Sequence, residues 1–351
     1  MIIKVKTDKK TKVVSNFNFK NIEKIAKKHN KLVLVVDQNV YNYHSSRFSE
    51  IEHVITIEGG ENMKTLAETQ EIIDKLLKIG ADKNSLIIGI GGGVITDLVG
   101  FVASIYKRGI PFGFIPTTVL SAVDAAIGGK NGVNQGLIKN CIGTINQPDF
   151  ILYDYQFFKS LPEIEFSNGF AEVIKYGCIC DRELFDYLEK YDLHYFINSP
   201  VALQMIIQKC LTIKANIIQK DPNDNNIRKT LNFGHTIGHA IEKGVDLKHG
   251  FAISLGMIYA TQLSTSRLGF DPKDLLRISN LLTSYGLPIK TNIHSSTIFT
   301  LILDDKKKKG SNIDFILLKS IGNSEIVNLS IEEIRKDLKK RVDEVNSLSF
   351  A

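Results

Sequence analysis

Residues 86–101 read LIIGIGGGVITDLVGF, and their pattern predicts the fold of the chain more clearly than any other segment. Its first five residues are almost wholly apolar, as in a buried strand of a parallel sheet. The strand breaks into Gly91-Gly92-Gly93, and the apolar residues that follow begin a helix. In α/β folds, a strand that turns through glycines into a helix presents backbone N–H groups to a phosphate at the helix N-terminus.

The glycine turn differs from two common nucleotide-binding motifs. The pattern Gly89-x-Gly91-x-x-Val94 lacks the last glycine of the dinucleotide fingerprint, and it lies late in the α/β region rather than in its first turn. It is not a P-loop either, because no Gly-Lys-Ser/Thr follows. A tight turn alone does not need three consecutive glycines, so the run favours close approach of the backbone to a ligand.

Further strand signals flank this stretch. Residues 32–36 and 54–57 are short runs of branched apolar residues, and residues 111–118 supply another strand. A helical pattern of apolar residues occupies 66–77. The alternation of strands and helices predicts an α/β, Rossmann-like N-terminal domain.

From about residue 160 the pattern becomes helical. Segments with helical periodicity span 170–190, 200–219, 231–243, 250–268 and 273–285. We therefore predict an α/β domain over residues 1–157 and a mainly α-helical domain over residues 158–351.

The composition permits an enzyme and argues against a nucleic-acid-binding protein. The chain has 351 residues, with 43% hydrophobic and 23% charged residues, as in ordinary globular proteins. Its net charge is +6, but the basic residues are dispersed, and there is neither an arginine-rich block nor a tryptophan. The positive charge fits a small anionic substrate equally well.

The cysteines and the N-terminus indicate the compartment. Cys141, Cys178, Cys180 and Cys210 follow neither zinc-finger spacing nor a disulfide framework, so we expect free thiols in a reducing compartment. Residues 1–6 do not resemble the apolar part of a signal peptide, and no apolar run reaches transmembrane length. We predict a cytoplasmic protein.

Three histidines and one glutamate supply candidate metal ligands. His235 and His239 would project from one face of a helix, and His249 follows after a short loop. Glu172 lies upstream in a helical segment. Two imidazoles, one carboxylate and an open fourth position form the usual ligand set of a catalytic zinc. The spacing alone pairs His235 with His239 as ligands, with His249 closing the site, although helical histidine pairs also occur as ordinary surface residues.

Basic groups are interleaved with these residues and with glycine turns. The set comprises Arg108, Lys130, Lys175, Lys214, Arg228 and His239. Any one of them could be a solvated surface residue. Together they predict a substrate with more than one negative group, such as a phosphate and a carboxylate.

The chain resembles the 3-dehydroquinate synthases, within the sugar phosphate cyclase group, almost from end to end. The matching stretches are 60–64, 91–97, 108–109, 116–118, 124–134, 139–140, 160–162, 169–177, 231–242 and 249–250. Several of these are specific to the family over eight or more residues. The resemblance implies an NAD-binding N-terminal domain and a metal- and substrate-binding C-terminal domain.

The resemblance also implies roles for individual residues. The divalent metal, zinc or cobalt, would bind Glu172, His235 and His249, which makes His239 a substrate residue. The NAD site would comprise Asp37, Asn39, Glu61, Lys64, Gly92, Gly93, Asp97, Thr117, Thr118, Lys130, Lys139 and Ser160. The catalytic and substrate residues would be Asp124, Lys130, Asn140, Lys175, Lys214, Arg228, Asn232 and His239. Arg108 matches an arginine that reaches the neighbouring subunit's site, which implies a homodimer.

The reaction implied by the resemblance belongs to the shikimate pathway of aromatic amino acid biosynthesis. It converts 3-deoxy-D-arabino-heptulosonate 7-phosphate to 3-dehydroquinate and phosphate. NAD would oxidise one alcohol transiently, which acidifies the neighbouring C–H before phosphate leaves and the ring recloses. Zinc suits this chemistry as a Lewis acid, and fixed cations would stabilise the phosphate and the developing enolate.

The sequence departs from the family pattern in four places, one of them a segment of two residues. Phe251 stands where a glutamate usually follows His-Gly, and Thr96 replaces a glycine before Asp97. Ala125-Ala126 loses a hydroxyl, and Asp314 occupies the place of a basic residue. The last change falls at a position where the resemblance implies a contact with the phosphate.

Several other functions remain open from the sequence. Another sugar phosphate cyclase, such as an aminodehydroquinate synthase, would use much the same residues. The carboxylate-binding set Lys214, Arg228 and Asn232 argues against a valiolone-type substrate. A metal-dependent polyol dehydrogenase would not need so many cations. An inactive paralogue that retains NAD or metal is a non-enzymatic alternative.

Overall fold

The structure is a computed structural model that describes residues 2–4, 10–136, 138–221, 224–245, 247–306 and 312–343. The strands are β1 (Ile2–Lys4), β2 (Lys10–Val14), β3 (Leu32–Asp37), β4 (Val54–Ile57), β5 (Leu86–Gly91), β6 (Phe112–Pro116), β7 (Lys130–Gln135), β8 (Ile138–Ile145), β9 (Phe150–Leu152), β10 (Asn312–Ser320) and β11 (Asn323–Ser330). The helices are α1 (Ile22–Ala26), α2 (Gln38–Tyr43), α3 (Leu66–Ile79), α4 (Gly93–Ile105), α5 (Glu163–Cys180), α6 (Arg182–Leu188), α7 (Leu193–Asn198), α8 (Pro200–Lys220), α9 (His235–Gly244), α10 (His249–Leu268), α11 (Pro272–Ser284), α12 (Ser295–Lys306) and α13 (Ile331–Leu338).

The chain divides into two compact units. The first comprises Met1–Phe166 and Pro200–Pro222, and the second comprises Ser167–Ser199 and Asn223–Ala351. Helix α8 thus belongs to the first unit, although it follows α5 to α7 in the chain. The functional boundary expected between residues 157 and 158 stays a prediction.

A sheet organises the first unit. Among the described residues its strand order is β1-β2-β9-β6-β5-β3-β4, and every neighbouring pair is parallel except β1 with β2. The chain runs outward from β3 to β4, and then resumes on the other side of β3 with β5 and β6. The strand order therefore reverses between β3 and β5, which is where open α/β sheets bind ligands.

The apolar strand sequences explain this arrangement. Residues Val33–Val36 and Leu86–Ile88 are fully buried, as expected for parallel strands covered on both faces. The α/β, Rossmann-like fold predicted from residues 86–101 is confirmed.

Gly91 is required where β5 turns into α4. A Cβ added to this residue would lie 2.5 Å from Ile95 Cγ1 and 2.7 Å from Ile95 Cβ. Only glycine lets the first turn of α4 fold back so closely over the strand end.

Contrary to the expectation that no apolar run reaches transmembrane length, helix α8 is long and apolar enough to cross a membrane, and it is the one such helix among the described residues. Of its most apolar window, 56% is buried inside the protein, and α8 also carries the buried Lys214. These properties are those of a core helix, and they do not indicate a membrane protein.

The second unit is mainly helical, as predicted. The segment predicted as one helix over 170–190 is two helices, because Asp181 begins α6 by accepting from the backbone N–H of Leu184 over 2.8 Å. The antiparallel hairpin β10–β11 adds a small sheet to this unit.

Helices α9 and α10 pack closely in the second unit. Gly234 precedes α9 with a φ of 77°, and a Cβ added to Gly256 of α10 would lie 1.9 Å from the Gly234 carbonyl oxygen. The predicted helix over 231–243 therefore begins only at His235, after a 3-10 turn over Ile227–Asn232. Because α9 begins at His235 and α10 begins at His249, this packing fixes the positions of both histidines.

Candidate active site

The carboxyl ends of the parallel strands collect residues that the sequence assigns to a cofactor site. β3 ends at Asp37, β5 at Gly91, and β6 at Pro116, directly before Thr117 and Thr118. These ends lie at one edge of the sheet, because parallel strands share a direction. The backbone N–H of Thr117 donates to the Gly91 carbonyl over 3.0 Å, so the two turns are adjacent.

The turn after β4 lies against the end of β3. Asp37 caps α2, where its Oδ1 accepts from the backbone N–H groups of Asn39 (2.9 Å) and Val40 (3.3 Å). Burial raises the pKa of the Asp37 carboxyl, and these two hydrogen bonds oppose the rise. A Cβ added to Gly59 would lie 2.9 Å from Asp37 Oδ2 and 3.5 Å from Asn39 Nδ2. The turn and both polar side chains therefore form one surface.

The N-terminus of α4 suits a phosphate. Its N-cap is Gly92, which has no side chain to cap the first turn. A Cβ added to Gly92 would lie 3.1 Å from Thr118 Cγ2, so a larger residue would crowd this approach. Backbone N–H groups and the positive end of the helix dipole favour an anion here. This cradle fits the pyrophosphate of a dinucleotide.

A hydrogen-bonded network links residues predicted for NAD to one predicted for the substrate. Lys64 pairs with the Asp97 carboxylate and donates to Asn140 Oδ1, and its Nζ lies 4.0 Å from Glu61 Oε1. Asn134 completes the network, because it donates to Glu61 Oε1 and accepts from the backbone N–H of Asn140, each over 2.8 Å. Burial raises the pKa of Asp97 to about 6, although Lys64 opposes the rise.

Lys214 is held by Asp124. Its Nζ donates to Asp124 Oδ1 over 2.7 Å and to the Asp124 backbone oxygen over 2.6 Å. Asp124 lies in a π-helical turn, Ser121–Ala125, of the kind often found at functional sites. Because Lys214 is only 6% exposed, these contacts fix the position of its charge.

Three further residues predicted for the cofactor lie elsewhere in the first unit. Ser160 Oγ donates to the Phe157 carbonyl over 3.0 Å and lies 3.0 Å from His44 Nε2. Lys130 is exposed at the start of β7, and Lys139 is half-buried in β8. The contact between His44 and Ser160 was missed from the sequence, because the two residues are 116 positions apart.

Arg108 lies on an exposed turn with an uncommon backbone conformation. The φ angles of Lys107 and Arg108 are 51° and 64°, in the left-handed region that non-glycine residues seldom adopt. The following Gly109 also has a positive φ, of 111°. The turn is thus held in a costly conformation that displays the arginine.

In the second unit, two histidines converge on one carboxylate. Glu172 of α5 is fully buried, and its Oε1 lies 3.5 Å from His235 Nε2 and 3.4 Å from His249 Nε2. The ligand atoms of the three residues all lie within 4.8 Å of one another. Two imidazole nitrogens and a carboxylate oxygen are the donor set of a catalytic zinc, so these residues fit a divalent metal.

The far nitrogen of each of these histidines also has a partner. His235 Nδ1 donates to the Phe233 carbonyl over 3.0 Å, and His249 Nδ1 lies 3.4 Å from Glu242 Oε2. Metal-binding histidines are usually oriented in this way. Glu242 was not singled out from the sequence, although its place three residues after His239, on the same helix face, was a usable signal.

Charges around this cluster shift the pKa values in opposite directions. Burial would raise the pKa of Glu172, but Lys175 and both histidines hold it well below its usual range. Burial, together with Lys175, lowers the pKa of His235 to about 3. Burial also opposes the charge on His249, yet Glu172 and Glu242 raise its pKa to about 9. Lys175 is itself buried and pairs with Glu172 Oε2.

Three predicted substrate residues of the second unit differ in exposure. His239 is exposed, and its ring centroid lies 5.1 Å from that of His235. It also belongs to a second group of possible ligands, with Glu242 and His249. Arg228 is buried in the turn before α9, and Asn232 is exposed at the end of that turn.

At two of the positions that depart from the family pattern, the structure provides a partner for the changed side chain. Thr96 is buried, and its hydroxyl donates to the Gly93 carbonyl over 3.0 Å, so the helix satisfies the added group. Asp314 lies 2.8 Å from Lys229 Nζ and accepts from Asn328 over the same distance. A basic group therefore lies beside Asp314, supplied by the neighbouring turn.

These features define a class of enzyme. An α/β unit with an uncapped glycine helix start occurs together with a helical unit whose Glu172, His235 and His249 fit a divalent metal. This is the architecture of metal-dependent enzymes that use a nicotinamide cofactor.

Comparison with known sequences identifies the family. A family model described as 3-dehydroquinate synthase N-terminal matches residues 54–168, and one described as 3-dehydroquinate synthase C-terminal matches residues 169–308. The chain is 36% identical to the 3-dehydroquinate synthase of Clostridium tetani, covering 97% of this chain and 95% of the relative. It is 44% identical to that of Thermodesulfovibrio yellowstonii, covering 83% and 82%. The chain therefore belongs to the 3-dehydroquinate synthase family.

Solved structures share the fold. A 2-epi-5-epi-valiolone synthase from Streptomyces hygroscopicus, solved with NAD+ and Zn2+, matches with a TM-score of 0.84 and 26% identity, covering 94% of this chain and 96% of that one. A 2-deoxy-scyllo-inosose synthase, solved with carbaglucose-6-phosphate, NAD+ and Co2+, matches with a TM-score of 0.85 and 23% identity, covering 97% and 99%. The latter likeness shows the fold alone.

Proposed function

We propose that this protein catalyses the 3-dehydroquinate synthase reaction. It converts 3-deoxy-D-arabino-heptulosonate 7-phosphate to 3-dehydroquinate and inorganic phosphate, and is thus a carbon–oxygen lyase acting on a phosphate. The reaction needs NAD and a divalent metal, zinc or cobalt, but has no net oxidation. The protein would act in the cytoplasm, in the shikimate pathway.

The observation that carries this proposal is the approach of His235 Nε2 and His249 Nε2 to one oxygen of Glu172. We assign these three residues as the metal ligands. The metal, when bound, supplies a Lewis acid, and NAD, when bound, supplies reversible hydride transfer. Membership of the family supports both cofactors.

The edge of the parallel sheet would hold NAD. The glycine start of α4 would take the pyrophosphate, because its N–H groups lack a capping side chain. The remaining NAD residues are proposed by resemblance: Asp37, Asn39, Glu61, Lys64, Asp97, Thr117, Thr118, Lys130, Lys139 and Ser160. Lys64 would hold Asp97 and Asn140 in place through its two contacts.

The substrate's two anionic ends would have different partners. Lys214, Arg228 and Asn232 would hold the carboxylate, and Lys130, Asn140, Lys175 and His239 would hold the phosphate. Burial of Lys214 and Arg228 supports the first assignment, because a desolvated cation binds a carboxylate more strongly than an exposed one does. Asp124 would keep Lys214 in place through its two hydrogen bonds.

Arg108 would act in the site of a partner subunit, which makes the protein a homodimer. Its exposed position and the strained backbone of its turn support this role.

The function is tested by incubating the purified protein with heptulosonate phosphate, zinc and NAD at less than the substrate concentration. We expect phosphate release to exceed the NAD supplied many times over, and dehydroquinate to accumulate in equal amount. NADH should not build up, because the hydride returns to the same molecule.

Other outcomes would identify an alternative function. Accumulation of NADH in step with product would indicate a polyol dehydrogenase. Turnover of a sugar phosphate without a carboxylate, but not of the heptulosonate, would indicate another cyclase. Turnover only of an amino analogue would indicate an aminodehydroquinate synthase. No turnover at all would indicate an inactive paralogue.

A further inference from the structure

We propose that Glu242 is the residue that orients His249 for metal binding, as a hydrogen-bond acceptor behind the imidazole. The inference rests on the metal site assigned in the proposed function. It gives a role to a carboxylate that lies beside the cluster but outside the assigned ligand set of Glu172, His235 and His249.

The helix α9 brings Glu242 to the cluster. His235, His239 and Glu242 stand at positions i, i+4 and i+7, so they share one helix face, while Ile237 and Ile241 are buried on the opposite face. The apolar face anchors the helix and directs the polar face towards His249.

The two nitrogens of His249 have different neighbours. Nε2 lies 3.4 Å from Glu172 Oε1, and Nδ1 lies 3.4 Å from Glu242 Oε2. A neutral imidazole carries one proton, so a proton held on Nδ1 by Glu242 leaves the Nε2 lone pair for the metal. The carboxylate also fixes the ring plane and makes the ligand more basic.

The side chain of Glu242 is 11% exposed, so solvent screens its charge weakly. The corresponding partner of His235 is the Phe233 carbonyl, 3.0 Å from Nδ1. The two histidines are therefore oriented by different groups, of which only Glu242 can be removed by changing a side chain.

A competing role for Glu242 is that of a ligand. It forms a second possible cluster with His239 and His249, in which ligand atoms lie within 4.8 Å of one another. The two roles predict different metal stoichiometry: one ion per chain if Glu242 only orients His249, and two if the second cluster also binds.

The test is metal titration of the full-length protein after treatment with a chelator. Wild type, Glu242→Gln and Glu242→Ala are titrated with Co2+, following the visible absorption bands of the bound ion, and Zn2+ affinity is measured by competition.

We expect one ion per chain in every case. The Kd should rise about 10- to 100-fold in Glu242→Ala, as for other outer partners of metal ligands. Glu242→Gln should fall between, because its amide oxygen still accepts from Nδ1 but carries no charge. The absorption bands of bound Co2+ should shift in both variants.

Glu189→Gln is the matched control. Glu189 is a carboxylate of the same unit that pairs with Arg277 rather than with a histidine. It should keep the wild-type Kd and Co2+ spectrum. Thermal unfolding of the metal-free variants establishes that each of them is folded.

Wild-type affinity and an unchanged spectrum in folded Glu242→Ala would overturn the inference. The inference would also be overturned if wild type bound two ions per chain and Glu242→Ala bound only one, because Glu242 would then be a ligand. If wild type binds no metal, both this inference and the proposed function fail. If the Glu242 effect is present but no dehydroquinate is formed, only the proposed function fails.

Discussion

At the scale of single residues, geometry separates histidines that the spacing alone leaves equivalent. His235 and His249 both direct Nε2 at Glu172, whereas His239 is exposed on the same face of α9 as His235. Metal affinity should therefore depend unequally on the three imidazoles.

We predict that His235→Ala loses bound metal, while His239→Ala keeps it. The first change removes one of the proposed ligands, and the second removes a group that we assign to the substrate. Metal content per chain, measured after dialysis against metal-free buffer, checks this. Full occupancy in His235→Ala would move the site to the cluster of His239, Glu242 and His249.

Asp97 gives a prediction about pH. Its pKa of about 6 in the folded protein lies above its ordinary value of 3.8, so the folded state binds this proton more tightly than the unfolded state does. The contribution of Asp97 therefore favours folding increasingly as the pH falls from about 6 towards 4, and this gain is lost as the pH rises through 6. Asp97→Asn removes the titrating group.

Thermal unfolding of the protein without cofactors measures this effect. The melting temperature of wild type minus that of Asp97→Asn should become more positive as the pH is lowered from 7.5 to 5. A difference that stays constant, or that becomes more negative, would contradict the raised pKa.

At the scale of elements, the β5–α4 turn combines a packing requirement with a binding surface. A Cβ on Gly91 would overlap Ile95, whereas a Cβ on Gly93 would lie 3.5 Å from Ala125 Cβ, an ordinary contact. Neighbouring glycines in one turn thus have different reasons to be glycine.

We predict that Gly91→Ala lowers the free energy of unfolding by about 1–3 kcal/mol, as overpacking usually does. Gly93→Ala is the matched variant, and its stability should stay within about 0.5 kcal/mol of wild type. Urea unfolding of the two variants checks the order. Equal stability of the two would show that Ile95 can move aside without cost.

At the scale of the whole molecule, the proposed dimer makes Arg108 a residue of the neighbouring site. Arg108→Ala and Lys175→Ala should each be nearly inactive as pure proteins. In a mixed dimer, both defects would fall in one site and leave the other intact. Random exchange makes about half of the dimers mixed, each with one intact site of two, so about a quarter of wild-type activity should return.

The measurement is activity after the two variants are mixed and allowed to exchange subunits. A sample of Arg108→Ala alone, taken through the same exchange procedure, is the control, and its activity should not recover. Absence of recovery in a mixture shown to contain mixed dimers would place Arg108 in its own subunit's site.

The α/β order of the first unit could be predicted from the amino-acid sequence, because parallel strands buried on both faces need continuous apolar runs such as residues 86–88. The family could also be predicted from the sequence, because the chain contains family motifs of eight or more residues. The sequence pattern misjudged where helices end, since Asp181 breaks the segment 170–190 by a local capping bond that competes with helical periodicity.

Which distant groups meet could be read only from the folded chain. Glu172 and His249 are 77 residues apart, and His44 and Ser160 are 116 apart, so neither contact leaves a periodic signal in the chain. The same holds for Glu242, which reaches His249 Nδ1 only because α9 and α10 pack closely at Gly234 and Gly256. Periodicity reports which face of an element is buried, but the partner across that face is set by packing between elements.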